Sequence, residues 1–150
     1  MKFLMLCFFN LMIFTITSAQ DSTTTTDTHK EQTTHEILQL TKTADSDKYG
    51  LTGDFPVKVG TGKKGGPYNQ RAYLDLLRDG QGNKIKYARI GACCPYSSEN
   101  ALFGGTALVD RYGIVYKDKN GKKKKAEIFI SFYDYEEPMI PVGFQAATDK

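Results

Sequence analysis

Apolar positions at helical spacing predict one helix, directly after Pro67. The apolar face consists of Tyr73, Leu74, Leu76 and Leu77. A proline suits the first turn of a helix, where its missing N–H is not needed. Gly80 is a candidate for the left-handed residue that follows a helix end. The pattern therefore predicts a helix from Pro67 to Arg78.

Alternation of apolar and polar positions predicts strands near residues 55–59, 85–90, 108–116 and 128–133. Pro56 restricts the first strand to a sheet edge or a strand start, and Asn120-Gly121 predicts a hairpin turn between the last two. The positions expected to face the core are Leu108, Tyr112, Ile114 and Tyr116 in the third strand and Ile128, Ile130 and Phe132 in the fourth. These elements predict an α+β fold: a small antiparallel sheet of about four strands with one packed helix.

The segment after Tyr133 contains two prolines, Pro138 and Pro141, and therefore cannot form an interior strand. Its apolar residues are expected to lie over the sheet as a clasp, and they are Met139, Ile140, Val142 and Phe144. The polar tail over 146–150 is expected to fray.

The first residues have the pattern of a cleavable secretory signal peptide. An apolar run over 3–16 is followed by small residues at 17–19. A membrane-spanning helix needs about 20 apolar residues, and here Asn10 interrupts a shorter run. We therefore expect residues 1–19 to be removed and the protein to be exported, periplasmic or secreted, with no transmembrane segment after cleavage. An uncleaved N-terminal anchor is the alternative.

Residues 20–48 are rich in Thr, Asp, Ser, Gln and Lys and are expected to form a disordered linker, because they cannot bury enough apolar surface to offset the entropy of ordering. A single α+β domain over 49–145 follows. Both histidines of the chain, His29 and His35, lie in the linker. The folded domain then lacks the commonest general base and metal ligand. Gln39 also breaks the zinc-protease pattern His-Glu-x-x-His that starts at His35.

Charge is nearly balanced along the chain, with 20 basic and 17 acidic residues, and Lys2 would leave with the signal peptide. Such a balance offers no electrostatic case for nucleic acid as a partner. Four consecutive lysines, Lys122 to Lys125, follow the predicted turn. We interpret them as a solvated hairpin tip, with contact to an anionic surface as the alternative.

Cys93 and Cys94 are the candidate disulfide or redox pair. Loss of Cys7 would leave them as the remaining thiols of a protein in an oxidising compartment. Neighbouring Cα atoms are about 3.8 Å apart across a trans peptide, closer than in ordinary disulfides, so a bond between these residues would be easy to reduce. The other interpretations are two unreactive, largely buried thiols, an intermolecular disulfide, a metal site and a nucleophile. The last two are disfavoured because no histidine would complete the ligand set or activate the thiol.

The segment 60–65 has the spacing Gly-x-Gly-x-x-Gly between a predicted strand and the predicted helix. Since no acidic ribose partner follows about 20 residues later, we interpret it as a flexible loop, with anion binding at the helix start as the alternative. The residues of that possible anion-binding loop are Gly60, Gly62, Lys63, Lys64 and Gly65. No cofactor and no metal is expected.

Acidic residues near the predicted strand ends are interpreted as surface charge and turn caps. They are Asp110, Asp134, Glu136 and Glu137. A hydrolase-type carboxylate pair or a calcium site is the alternative. Tyrosines would stack on a glycan if several of them shared one face, and they are Tyr87, Tyr96, Tyr112, Tyr116, Tyr133 and Tyr135. No residue is assigned a catalytic role.

Several short segments resemble a family of small exported bacterial proteins. They are 49–52, 56–60, Gly66-Pro67, Cys93-Cys94-Pro95-Tyr96, 133–135 and Pro141-Val142-Gly143-Phe144. Members of that family are often labelled 2-dehydro-3-deoxyphosphooctonate aldolase by automated naming. The genuine aldolase is a (β/α)8 barrel of typically about 250 residues, which roughly 95 ordered residues cannot build. We therefore expect no such activity.

The function expected from these features is that of an exported small domain acting as a non-catalytic binding or envelope-associated module. The alternative is a redox-active or enzymatic protein that uses Cys93-Cys94.

Overall fold

The computed structural model describes residues 37, 39–102 and 104–148. The elements are β1 (Val57–Lys58), α1 (Gly66–Leu76), β2 (Leu77–Arg78), β3 (Lys86–Ser97), β4 (Thr106–Lys117), β5 (Lys123–Ser131) and β6 (Gln145–Ala146). The signal peptide predicted over 1–19, Cys7, His29 and His35 lie outside the described residues.

The main sheet has four strands in the order β1-β5-β4-β3, and β2 pairs with β6 in a separate two-stranded sheet. The predicted α+β fold, with a four-stranded sheet and one helix, is confirmed. Strands β3, β4 and β5 are antiparallel, as expected, whereas β1 runs parallel to β5 and makes the sheet mixed. The direction of β1 depends on where the chain enters the sheet, which the alternation of residues along one strand does not encode.

Helix α1 buries Tyr73 and Leu74 against the sheet, and Leu77, directly after the helix, is also buried. The helix ends at Leu76, two residues before the predicted end, because Leu77 is extended and pairs with Ala146 in the small sheet. Gly80 is therefore not the helix cap. It lies against the turn after β4, where a Cβ would come within 2.6 Å of the Asp118 carbonyl carbon.

The core lies between the helix and one face of the main sheet. The predicted inward residues Tyr112, Ile114, Ile128 and Ile130 are all buried there, and Tyr116 and Phe132 pack against them. Leu108 is a wrong prediction, since it is 46% exposed. Leu108 lies two residues before Asp110, which is the last buried position of that face at this end of the strand. Gln70 of the helix donates a hydrogen bond to Asp110.

The folded part of the chain begins before residue 49, where the sequence placed the boundary. Leu40 and Ala44 belong to the core cluster, and Thr43 forms a parallel bridge with Ile140. The clasp covers the core through Ile140 and Phe144, with Met139 packed against them, while Val142 stays 43% exposed. The side chains of Leu40 and Ala44, together with backbone hydrogen bonds to Ile140, anchor a segment that is otherwise polar.

Candidate functional site

Cys93 and Cys94 form a disulfide bond within strand β3. The strand carries an extra residue here, because its register against β4 shifts between Cys93 and Tyr96. Cys94 has a φ of 54°, in the left-handed region that side chains other than glycine rarely adopt. The vicinal bridge therefore lies in a β-bulge, and both cysteines are half-buried.

Gly53 packs directly on this bridge. A Cβ added to Gly53 would lie 2.6 Å from Cys94 Sγ and 3.7 Å from the ring of Phe129. The segment that contains Gly53 is attached to strand β5, because Phe129 N donates a hydrogen bond to Gly50 O at 2.9 Å. One side of the bridge is thus covered by backbone.

Asp134, which follows β5, is the centre of a hydrogen-bond cluster close to the disulfide. The cluster includes Tyr96, two residues after Cys94 on β3. Asp134 Oδ1 accepts hydrogen bonds from Ser98 Oγ and Asn100 Nδ2, both at 2.8 Å, and its Oδ2 accepts one from Tyr96 Oη at 2.8 Å. Since the Tyr96 proton is used there, Ser131 Oγ is the donor in its 2.6 Å contact with Tyr96 Oη. The carboxylate ties the loop after β3 to the end of β5.

Protonation in this cluster follows from its contacts. Burial acts to raise the pKa of Asp134, but hydrogen bonds from Asn100, Ser98 and Tyr96 outweigh it and hold the pKa below its ordinary value. Burial, together with the Asp134 carboxylate, raises the pKa of Tyr96 to about 12. Asp134 is thus charged and Tyr96 neutral near pH 7, and neither group is poised to exchange protons.

The other acidic candidates lie in separate places. Asp110 accepts hydrogen bonds from buried Gln70, at 2.9 Å, and from Arg89 Nη2, at 2.6 Å. Glu136 pairs with Lys58 and Glu137 with Lys42, each at 2.6 Å. These pairings favour structural roles over a catalytic carboxylate pair.

The possible anion-binding loop over 60–65 leads into the helix, as predicted. Pro67 has no N–H, and the amides of Tyr68 and Asn69 donate to Gly65 O. The Asn69 side chain turns back to donate to Val59 O at 3.0 Å and Gly60 O at 3.3 Å. Most donors of the first helical turn are therefore used internally, which leaves little for an anion.

The predicted tyrosines do not share one open face. Tyr87 packs edge-on against Tyr112, Tyr116 against Phe144, and Tyr133 stacks on Phe132. These ring contacts give the glycan-stacking alternative no support.

A lysine-rich cavity of about 300 Å³, here called the lysine pocket, opens where β3, β4 and β5 meet the loop after β2. Its lining residues are Asp79, Asn83, Lys84, Lys86, Val115, Tyr116, Lys117 and Lys123. The predicted lysines of the hairpin, Lys122 to Lys125, are exposed as expected. Sequence reasoning missed that Lys84 and Lys86 join them, because the strand pairing that brings β3 beside β4 is not visible locally.

Asp79, the one acid among the described lining residues, has both oxygens engaged. Its Oδ1 accepts from the backbone N–H groups of Gln81 and Asn83, at 2.9 Å each, and its Oδ2 accepts from Lys117 N at 3.0 Å. Burial acts to raise the pKa of Asp79, but these hydrogen bonds outweigh it and lower the pKa. The carboxylate therefore shapes the loop, and its charge offsets only part of the charge of four lysines.

A second, more open cavity of about 470 Å³ lies on the face of the sheet away from the helix. Its lining residues are Ile90, Gly113, Ile114, Val115, Lys125, Ala126 and Glu127. We call it the sheet groove. It shares Val115 with the lysine pocket, so the two cavities adjoin.

Comparison of the chain with models of protein families, with curated proteins and with solved structures gives no match. Within the part of the chain that the structure describes, no three metal-ligating side chains are grouped to hold an ion. In the same residues, no helix has both the length and the apolar character to span a bilayer.

Proposed function

We propose that this protein is an exported, non-catalytic module that binds the anionic lipid surface of the cell envelope through its lysine-rich end. That end is defined by Lys84, Lys86, Lys117, Lys119 and Lys122 to Lys125. The observation that carries the proposal is the pairing of Lys117 directly opposite Lys123 across the β4–β5 hairpin. Like charges placed opposite each other destabilise a sheet, so this arrangement is a structural cost that an anionic partner would offset.

The lysines of this end have little internal compensation among the described residues. Asp118 pairs with Lys124 at 3.1 Å, and its other oxygen accepts the backbone N–H groups of Asn120 and Lys122 in the turn. Asp79 is engaged by backbone donors. Clusters of four to eight lysines or arginines beside a membrane-spanning helix or on an amphipathic helix bind anionic lipid, with about 1 kcal/mol from each such residue near the membrane. We extend this rule to the lysines at the hairpin end of the sheet.

Export is supported by the sequence pattern of residues 1–19 and by the Cys93–Cys94 bond, because disulfides persist mainly in oxidising compartments. A non-catalytic role is supported by the engagement of Asp110 and Asp134 in hydrogen bonds.

The experiment is sedimentation of the full-length protein with vesicles of phosphatidylglycerol and phosphatidylcholine, and with vesicles of phosphatidylcholine alone. We expect binding to the anionic vesicles only, and weaker binding at higher salt. The double variant Lys123→Gln, Lys125→Gln should reduce the partition coefficient roughly thirtyfold, from about 1 kcal/mol per lysine.

The matched control is the double variant Lys63→Gln, Lys64→Gln, which removes the same charge from the glycine-rich loop. It should bind anionic vesicles nearly as well as the unaltered protein. Equal losses in the two double variants would show that binding follows net charge and not the lysine-rich end, and the proposal would fail.

A redox role for Cys93-Cys94 is the second candidate, favoured by the vicinal bond itself. An external dithiol would supply the two electrons: its thiolate attacks one sulfur of the bond, a mixed disulfide forms, and the second thiol of the dithiol closes its own disulfide. Two cysteine thiols remain on the protein. Titration of thiols before and after mild reductant tests this role, and two free thiols in untreated protein would eliminate it.

A further inference from the structure

The lysine pocket and the sheet groove adjoin at Val115. A ligand class for the two cavities follows from their chemistry and rests on the proposed function. We propose that together they bind one molecule of an anionic amphiphile, with a phosphate head in the lysine pocket and an apolar chain along the sheet groove. The protein would then hold single lipid molecules in addition to contacting a lipid surface.

The two cavities share one lining residue, which lies on the face of the sheet away from the helix. Val115 lines both, and its cross-strand partners are Lys86 on β3 and Lys125 on β5. Directly opposed residues project from the same face of a sheet. Lys86 therefore reaches the lysine pocket and Lys125 the sheet groove from either side of Val115.

The head site fits a phosphate group by charge and size. Its four cationic side chains are all lysines, which act as compact point charges suited to phosphate. A cavity of about 300 Å³ lies at the lower end of ligand-site volumes. It is therefore sized for a head group and leaves the remainder of the molecule to the adjoining cavity.

The apolar half of the site depends on a glycine, Gly113, in the middle of β4. Gly113 leaves the middle of β4 bare, and a Cβ there would lie 3.2 Å from Ile90 Cδ1. The register of β3 shifts between Arg89 and Gly91, which leaves Ile90 unpaired, and Ile90 is 51% exposed. The bulged isoleucine beside the bare glycine gives the sheet groove one apolar wall in contact with solvent.

Charge along the face sets the orientation of the ligand. Glu127 lines the sheet groove and lies opposite Gly113, and its carboxylate is 3.7 Å from Arg111 Nη1. Lys125 also lines the sheet groove, so its charge balances that of Glu127, whereas the lysine pocket has four lysines and one acid. An anionic head is therefore attracted more strongly to the lysine pocket. A polyanionic chain with charge along its whole length fits this gradient less well than an amphiphile with one charged end.

The test is calorimetric titration of the full-length protein with three probes: dihexanoyl phosphatidic acid, dihexanoyl phosphatidylcholine, and inorganic phosphate, each below any micelle-forming concentration. We expect phosphatidic acid to bind at least about tenfold more tightly than phosphate, since buried CH₂ groups add to the affinity. Phosphatidylcholine, whose head carries no net charge, should bind more weakly than phosphatidic acid.

Two variants separate the halves of the site. Lys86→Gln should weaken phosphatidic acid and phosphate alike, by about fivefold. Ile90→Ser should weaken phosphatidic acid and leave phosphate unchanged. Leu108→Ser removes a similarly exposed apolar side chain (46% against 51% for Ile90) that does not line the sheet groove, and it should change neither affinity.

Three results would overturn the inference. Equal affinity for phosphate and phosphatidic acid, unaffected by Ile90→Ser, would mean a free-phosphate site. Dimerisation that is lost in Ile90→Ser would mean that a second copy covers the sheet groove. Binding to anionic vesicles without any binding of monomeric phosphatidic acid would leave the proposed function standing and refute this inference alone.

Discussion

Gly53 and Cys94 touch so closely that no side chain fits between them: a Cβ on Gly53 would lie 2.6 Å from Cys94 Sγ and 2.8 Å from Cys94 Cβ. We therefore predict that Gly53→Ala destabilises the domain by about 1–3 kcal/mol through overpacking. Urea denaturation would measure this as a lower midpoint with an unchanged slope.

The matched control is Gly113→Ala, whose added Cβ would have the flexible end of Ile90 as its nearest neighbour, at 3.2 Å, and should cost far less. The penalty of Gly53→Ala should also shrink in the Cys93→Ser, Cys94→Gly background, because the obstructing Cys94 atoms are gone. A full penalty in that background would place the conflict elsewhere.

Substitution of Lys123 should change stability and lipid binding in opposite directions. Lys123→Glu replaces a like-charged pair with an oppositely charged one across from Lys117, which should stabilise the hairpin by about 0.2–1 kcal/mol. The same change should weaken binding to anionic vesicles. Thermal denaturation and vesicle sedimentation of the same sample provide both measurements.

Lys63→Glu makes the same charge change away from the hairpin. It should leave binding to anionic vesicles nearly unchanged. A gain of stability in Lys123→Glu without loss of vesicle binding would contradict a functional role for the opposed lysines.

Gln70 links the helix to the sheet through three hydrogen bonds. Its Nε2 donates to Asp110 Oδ2 at 2.9 Å and to the Ile130 carbonyl oxygen at 3.2 Å, and its Oε1 accepts from Tyr112 Oη at 2.8 Å. Gln70→Leu would remove all three hydrogen bonds from buried groups, although Asp110 would keep those from Arg89, and should cost at least about 2 kcal/mol of unfolding free energy. Chemical denaturation provides the measurement.

Tyr112→Phe, the milder variant, removes one of these bonds and should cost about 1 kcal/mol. Equal costs for Gln70→Leu and Tyr112→Phe would show that the bond to Asp110 contributes little.

Stability should fall in acid because of carboxylates with lowered pKa values. The pKa values of Asp79, Asp118 and Asp134 are below the ordinary value in the folded protein. A group with a lower pKa when folded stabilises the fold above its unfolded pKa, about 3.9 for Asp, and this stabilisation is lost as pH falls through the folded pKa. We therefore expect the urea midpoint to decrease below about pH 4.

Asp134→Asn isolates one of these contributions. The variant should be less stable at pH 7, because Ser98, Asn100 and Tyr96 lose a charged acceptor, and its midpoint should depend less steeply on pH in acid. The same steepness in both proteins would mean that Asp134 does not contribute to the acid transition.

Local sequence patterns determined much of the fold. The helical face of Tyr73 and Leu74, the inward set of Ile128 and Ile130, and the turn at Asn120-Gly121 all lie where the sequence placed them. Each depends on residues that are neighbours along the chain, so periodicity and turn chemistry suffice to predict it. Because Cys93 and Cys94 are adjacent, the sequence also allowed a vicinal disulfide to be predicted as one alternative. In the structure the two sulfur atoms are bonded.

Only the tertiary structure decided which distant residues meet. It paired β1 parallel to β5, brought Leu40 into the core, and set Lys84 and Lys86 beside Lys117 and Lys123. These contacts depend on strand order and register, which are settled by how all elements bury their apolar faces together. The sequence therefore did not predict the lysine pocket, because nothing along the chain shows that its four lysines meet.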